Sequence, residues 1–134
     1  MSRCRLSFFN FPTREALIDA VISEVDRYLV DLVEALAQSA RSAIDKLLAS
    51  LHEFSVTVDT APEYVKIWLN WSADVNESTW VRYIDFQDRI IAAFGEIFAA
   101  GKASGEILND VSPLLGGHLV TRAGHMIAQM KFRG

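Results

Sequence analysis

Apolar side chains recur with a helical period along most of the chain, and this pattern predicts five helices and no sheet. From Leu17 to Leu36 they return every three or four residues for more than five turns, while charged side chains occupy the other faces. An apolar stripe of this kind has to be buried against other elements. The short connections favour antiparallel neighbours. We therefore predict an all-α fold, with about five helices in an antiparallel bundle.

Capping residues, prolines and glycines set the ends of the predicted helices. Thr13 is suited to cap the first helix, and Pro62 and Pro113 lie at first-turn positions that tolerate the missing N–H. Gly101 and Gly105 are predicted to end the fourth helix. The predicted helices span about residues 13–38, 42–54, 62–73, 79–100 and 113–130.

Two stretches are less regular. Residues 55–60 are predicted to be a loop, because Val56-Thr57-Val58 favours extended backbone but three residues do not make a sheet. The fifth helix carries Gly116, Gly117 and Gly124. Each glycine inside a helix costs roughly 0.5 to 1 kcal/mol relative to alanine, so three of them indicate either close approach of another helix, for example in a second subunit, or a weak helix.

The most informative stretch is Tyr64–Asp74, which holds two tryptophans and a tyrosine. On a helix, Tyr64, Ile67, Trp68 and Trp71 form one wide stripe. Eight of the fourteen aromatic residues of the chain lie between residues 64 and 98, so two adjacent helices supply most of the bulky interior. The stripe is typical either of core packing or of the wall of a ligand pocket, and its spacing alone does not decide between them.

Composition indicates a single globular domain. The chain has 134 residues, of which 51% are hydrophobic and 22% charged, enough to bury a core. A mean hydropathy of +0.18 favours an apolar surface that meets a partner, most simply a second copy. The net charge of −4 disfavours autonomous binding of nucleic acid. One cysteine, Cys4, and no signal-like or membrane-length apolar run are typical of a cytoplasmic protein.

Catalytic and metal-binding patterns are missing from the sequence. Gly101–Gly105 is glycine-rich but follows a helix rather than a strand, so it is interpreted as a turn and not as a phosphate-binding loop. His118 and His125 share a helix face, but no third ligand accompanies them, and we predict histidines at the surface or in an interface that titrate near neutrality. We predict no enzyme activity, no metal and no cofactor.

Several segments resemble a known family. The run Phe8–Leu17, FFNFPTREAL, resembles the junction at which TetR-family transcriptional regulators pass from the recognition helix to the long connecting helix. Val65–Ala73, followed by Trp80 and Gly101–Glu106, is similar to the LuxR/HapR-type quorum-sensing regulators within that family. The resemblance covers most of residues 8–120 and is strongest at 8–17 and 64–80.

The resemblance implies an N-terminal helix-turn-helix that binds DNA, an all-α regulatory domain and a dimer built on the last two helices. It predicts residues 1–12 to be a remnant of the DNA-binding domain and 13–134 to be the ligand-binding and dimerisation domain, with most of the helix-turn-helix and the final family helix lacking. Trp68 matches a family pocket position, Tyr83 stands where the family has phenylalanine, and Ile91 departs from a polar family position. The predicted ligand-binding residues are Trp68, Tyr83, Gln87, Ile91, Tyr64 and Phe94. The predicted dimer-interface residues are Leu115, Leu119, Arg122, Met126 and Met130.

These observations predict a regulatory and dimerisation domain that binds an apolar small molecule and pairs with a second copy. DNA binding is expected only if the missing N-terminal helices are present. The alternative is a helical dimerisation module without a ligand, which could modulate a full-length relative by forming a heterodimer with it. The sequence leaves the ligand, the operator and the sign of regulation open.

Overall fold

The computed structural model describes residues 13–73, 75 and 79–134, and every regular element within these residues is a helix. The helices are α1 (Arg14–Ala37), α2 (Ala43–Thr60), α3 (Pro62–Ala73), α4 (Trp80–Ser104) and α5 (Pro113–Arg133). The predicted all-α fold with five helices is confirmed. The predicted DNA-binding remnant, residues 1–12, lies outside the described residues.

Three hydroxyl side chains cap helices. Thr13, Ser42 and Ser112 precede α1, α2 and α5, and each side-chain oxygen accepts a hydrogen bond from the backbone N–H three residues further on. These bonds satisfy N–H groups that have no partner inside the helix. Pro62 begins α3 and Pro113 begins α5, as their fixed φ allows. The predicted starts of these helices are therefore confirmed to within a residue or two.

The prediction of a loop at residues 55–60 is wrong, because α2 continues to Thr60. Thr57 and Val58 are buried, so tertiary packing outweighs the local preference of β-branched residues for extended backbone. The Thr57 hydroxyl also donates to the carbonyl of Glu53 at 2.8 Å, within its own helix. Burial of one face of the segment thus keeps it helical.

The fourth helix also runs further than predicted. Gly101 lies inside α4, and a Cβ there would come within 2.8 Å of the Ala43 Cβ and 2.6 Å of Ile107 Cδ1. Gly101 therefore allows α4 to pack closely against Ala43 and Ile107 and does not end the helix. The helix ends at Gly105, whose φ of 85° lies in the left-handed region that favours glycine.

Glu106 fastens the segment after α4 to the start of α2. Its carboxylate accepts hydrogen bonds from the backbone N–H of Ala43 at 3.1 Å and of Ile44 at 3.4 Å, and from the Ser104 hydroxyl at 3.0 Å. The Ala43 N–H, with smaller help from the Ser104 hydroxyl, holds the pKa of Glu106 below its ordinary value. A carboxylate suits this position because a helix N-terminus carries partial positive charge.

The helices pack around α4, which contacts α1, α2 and α5 along its length. α1 and α4 run parallel, joined by ion pairs of Asp19 with Arg82 and of Asp26 with Arg89. α5 runs antiparallel to α4, since Gly117 lies against Ile91 and Gly116 against a residue two turns further along α4. None of the helices in the described part of the chain combines the length and hydrophobicity needed to cross a bilayer.

Candidate functional site

The aromatic stripe of α3 is buried, and its two tryptophans have different surroundings. The Trp71 ring lies 5.2 Å from the rings of Tyr83 and Phe86, and its indole N–H donates to the carbonyl of Thr79 at 2.9 Å. Trp71 is therefore a core residue that ties α3 to the start of α4. Trp68, one turn earlier, faces the centre of the bundle.

An apolar cavity lies beside Trp68, with a volume of about 60 Å³. All five helices contribute to its wall, which makes it the place where every element of the bundle meets. Large apolar side chains form most of the lining, among them Leu29 and Leu36 of α1, Phe54 of α2, Trp68 of α3, Phe94 of α4 and Val120 of α5. No charged side chain is among the described lining residues.

Five lining residues carry polar side-chain atoms: Ser50, Trp68, Tyr83, Gln87 and Thr121. The hydroxyls of Ser50 and Thr121 donate to carbonyls four residues earlier in their own helices, at 2.7 and 2.8 Å. The half-buried Gln87 amide has no hydrogen-bond partner among the described residues. The cavity thus suits an apolar group, with Gln87 as the side chain free to bond a ligand.

A second, polar cleft adjoins the cavity. It lies between α3, α4 and α5, has a volume of about 430 Å³, and shares Tyr83 and Gln87 with the cavity wall. On the α5 side it is lined by Arg122, His125 and Gln129. Arg122 is its one charged residue, and no acidic side chain is among the described residues that line it.

His125 lies at the boundary between the cavity and the polar cleft. Its ring centroid lies 4.2 Å from that of Trp68, and its Nδ1 lies 3.1 Å from the carbonyl oxygen of Thr121. Burial lowers the pKa of His125, the Thr121 carbonyl opposes this shift, and the nearby Arg122 charge adds to it. His125 is therefore half-buried in the wall of the cleft, whereas His118 is exposed at the surface.

Four of the six predicted ligand-binding residues, Trp68, Tyr83, Gln87 and Phe94, line the cavity together. Ile91 does not. It is buried against Gly117 of α5, because one step along a helix from the cavity-lining residue before it turns the side chain by about 100°.

Tyr64 is also absent from the cavity wall. Its ring meets Tyr28 of α1 edge to face at 5.6 Å, and its hydroxyl donates to the Glu24 carboxylate at 3.1 Å. Tyr64 lies one turn before Trp68 on the same face of α3, so the stripe extends past the cavity onto α1. For Ile91 and Tyr64, the predicted place in a pocket is corrected.

The lining from α1 and α2 was not predicted. Leu29 and Leu36 belong to the apolar stripe of α1, and Leu51 and Phe54 are three residues apart on α2. Those stripes predict that the residues are buried, but their spacing does not show which of them line a cavity and which pack in the core. His125 lies one turn before the fully buried Ala128, near the inward side of α5, but the sequence around it does not mark that side.

The predicted dimer-interface residues share one exposed face of α5. Leu115, Leu119, Met126 and Met130 are between 55% and 63% exposed, although each is large and apolar. Arg122 is also exposed and borders both this face and the polar cleft. We refer to these five residues as the α5 face.

Among the described residues, no three His, Cys, Asp or Glu side chains come together in a way that could hold a metal ion. Comparison of the chain with protein-family models, with curated proteins and with solved structures finds no match.

Proposed function

We propose that this chain is the regulatory and dimerisation portion of a TetR-like transcriptional regulator of the LuxR/HapR type, and that it binds a small apolar molecule inside the bundle. The observation that carries the proposal is the apolar cavity to which all five helices contribute. The resemblance of residues 8–17 and 64–80 to that family supports the same assignment. The all-helical fold is compatible with it.

A ligand in this cavity would act by selecting one packing of the helices. A bound molecule shifts a conformational equilibrium only as far as its affinity differs between two states. Leu29 and Leu36 bring α1 into the wall, and α1 begins at Arg14, within the segment 8–17 that resembles the junction with a DNA-binding head. Ligand contacts that reposition α1 against α4 and α5 would thereby change the spacing of two such heads in a dimer.

Binding of 1-hexanol, followed by thermal unfolding, tests the cavity. We expect the melting temperature to rise with hexanol concentration, because a ligand at ten times its Kd stabilises the folded state by about 1.4 kcal/mol. Gly124→Leu places an apolar side chain in the wall beside Phe54 and Trp68 and should remove the rise. Ala100→Leu places a leucine on the exposed surface of α4 and serves as the control. Equal shifts for all three proteins would contradict binding in the cavity.

The second candidate is a helical dimerisation module without a ligand, and the α5 face favours it. Four large apolar side chains at more than half exposure form a surface that a second copy could bury. Leu119→Glu should convert a dimer of twice 15.0 kDa into monomer in light scattering. Leu108→Glu, at a position 75% exposed and away from the face, should leave the dimer intact. A dimer that shows no hexanol response would favour this candidate over the first.

A further inference from the structure

The cavity and the polar cleft are neighbours that share part of their walls. Tyr83 and Gln87 line both spaces, and His125 of the cleft contacts two cavity-lining residues, the Trp68 ring at 4.2 Å between centroids and the Thr121 carbonyl at 3.1 Å. A molecule whose two ends differ in polarity can therefore touch both. Gln87 has the most rotatable bonds of the side chains at this shared wall, so its movement is the change that would join the two spaces.

The two parts differ sharply in chemistry. The cavity is apolar and uncharged, whereas the cleft has Arg122 on its wall together with the polar side chains of Gln87, His125 and Gln129. A ligand that fills both must carry an apolar body and a polar head.

The charge of the cleft selects the head. The chain as a whole is acidic, with a net charge of −4, yet no described residue of the cleft wall is acidic. Arg27, Arg82, Arg89 and Lys131 form ion pairs, whereas Arg122 is one of several cations that form none with the described residues, and it is the one that lines the cleft. An arginine without a carboxylate partner, next to amide and phenol donors, is suited to a planar anion, which it can bind through two parallel hydrogen bonds.

The position of the Arg122 charge agrees with this assignment. Its field opposes the rise in the pKa of Tyr83 that burial causes, and it adds to the lowering of the pKa of His125. Both groups lie on the boundary with the cavity, so the guanidinium acts on the place where the head of a ligand would emerge.

The size of the cavity limits the apolar body. A volume of about 60 Å³ corresponds to roughly four water molecules, and a methylene group occupies about the space of one water, so the cavity holds roughly four carbons of the apolar body. We infer that the natural ligand is a short-chain amphiphile with a carboxylate head, its chain in the cavity and its head at Arg122. This inference rests on the proposed ligand-binding function and names the chemical class.

Titration calorimetry of the full chain with hexanoate and 1-hexanol tests the inference. These probes share a six-carbon chain and differ in the head. For the wild-type protein we expect hexanoate to bind at least about tenfold more tightly than hexanol, as a charge-assisted contact to one arginine allows. Arg122→Gln should abolish that preference and leave hexanol binding as it was. Arg122→Lys should retain part of it, since lysine keeps the charge without the planar fork.

The outcomes separate the head from the cavity. Equal affinity for hexanol and hexanoate, unchanged in Arg122→Gln, would overturn the assignment of the head and leave the cavity standing. Hexanoate binding that survives Gly124→Leu would overturn the placement of the chain. Failure of both probes to bind the wild-type protein would overturn the proposed function and the inference together.

Discussion

Glycine has a different packing role in each half of α5. In the first half, a Cβ at Gly117 would lie 2.8 Å from the backbone oxygen of Ile91, and one at Gly116 would lie 2.7 Å from the ring of Phe98. In the second half, a Cβ at Gly124 would make only ordinary contacts, at 3.8 Å or more. The first half therefore packs directly on α4, and the second half meets its neighbours at ordinary van der Waals distance.

This difference explains where the cavity lies. Backbone contact at Gly117 fixes the distance between α4 and α5 at one end. Further along α5, the small residues Val120, Thr121 and Gly124 form the wall of the cavity that also includes Phe54 and Trp68. Dense packing at one end and small side chains at the other leave an internal space without any irregular backbone.

Gly117→Ala should have the largest effect of the changes considered for α5. The added methyl group meets a backbone oxygen that cannot rotate away, and overpacking of this kind costs about 1 to 3 kcal/mol. The better helix propensity of alanine offsets less than 1 kcal/mol of that cost. Urea unfolding should show a lower midpoint with an unchanged slope.

Gly116→Ala provides the matched comparison within the same half. The obstacle there is the aromatic side chain of Phe98, which can shift where a backbone cannot, so the loss should be smaller than at Gly117. Equal stability of Gly117→Ala and the wild-type protein would mean that α4 and α5 are further apart at Gly117 than described here.

Gly124→Ala should act in the opposite direction. The new methyl group would lie 3.8 Å from the Phe54 ring and 4.0 Å from the Trp68 ring, which is normal van der Waals distance. Replacing glycine by alanine in a helix then stabilises the protein by about 0.5 to 1 kcal/mol. A rise in the urea midpoint checks this, and a fall would show that the second half of α5 is packed as tightly as the first.

The pattern of the sequence was sufficient to predict most of the fold, because the evidence for helices is local. Thr13 and Pro113 mark helix starts through bonds and backbone angles within one turn. The errors have distant causes. α2 extends past residue 54 because Val58 is buried by other helices, and Gly101 lies within α4 because its partners, Ala43 and Ile107, are brought there by the fold.

The candidate site was less predictable than the fold. Trp68 and Phe94 were predicted from an aromatic stripe and a family resemblance, and both line the cavity. A stripe, however, does not distinguish a buried residue that lines a cavity from one that packs in the solid core, and Tyr64 packs in the core. The glycines of α5 posed a similar problem. Gly116 and Gly117 allow α5 to pack closely on α4 of the same chain, but their spacing fits contact with a second subunit equally well.

The smallest effect that we expect concerns His125, in the second half of α5. This residue should make the stability of the protein depend on pH. Burial lowers the pKa of this ring below its ordinary value of 6.5, so the unfolded chain takes up a proton first as the pH falls. The contribution of His125 is therefore fully present above about pH 6.5 and is lost as the pH falls toward the folded-state pKa. Arg122 lies one turn before the ring on α5 and Tyr83 lies on the α4 wall of the cleft, and the Arg122 charge increases the loss. Urea unfolding between pH 7 and pH 5 should show a smaller decline in the free energy of unfolding for His125→Gln than for the wild-type protein.

The exposed His118, on the same helix, provides the control, and His118→Gln should retain the wild-type decline in the free energy of unfolding. Identical pH profiles for His125→Gln and the wild-type protein would show that the ring beside Trp68 is as hydrated in the folded state as in the unfolded chain.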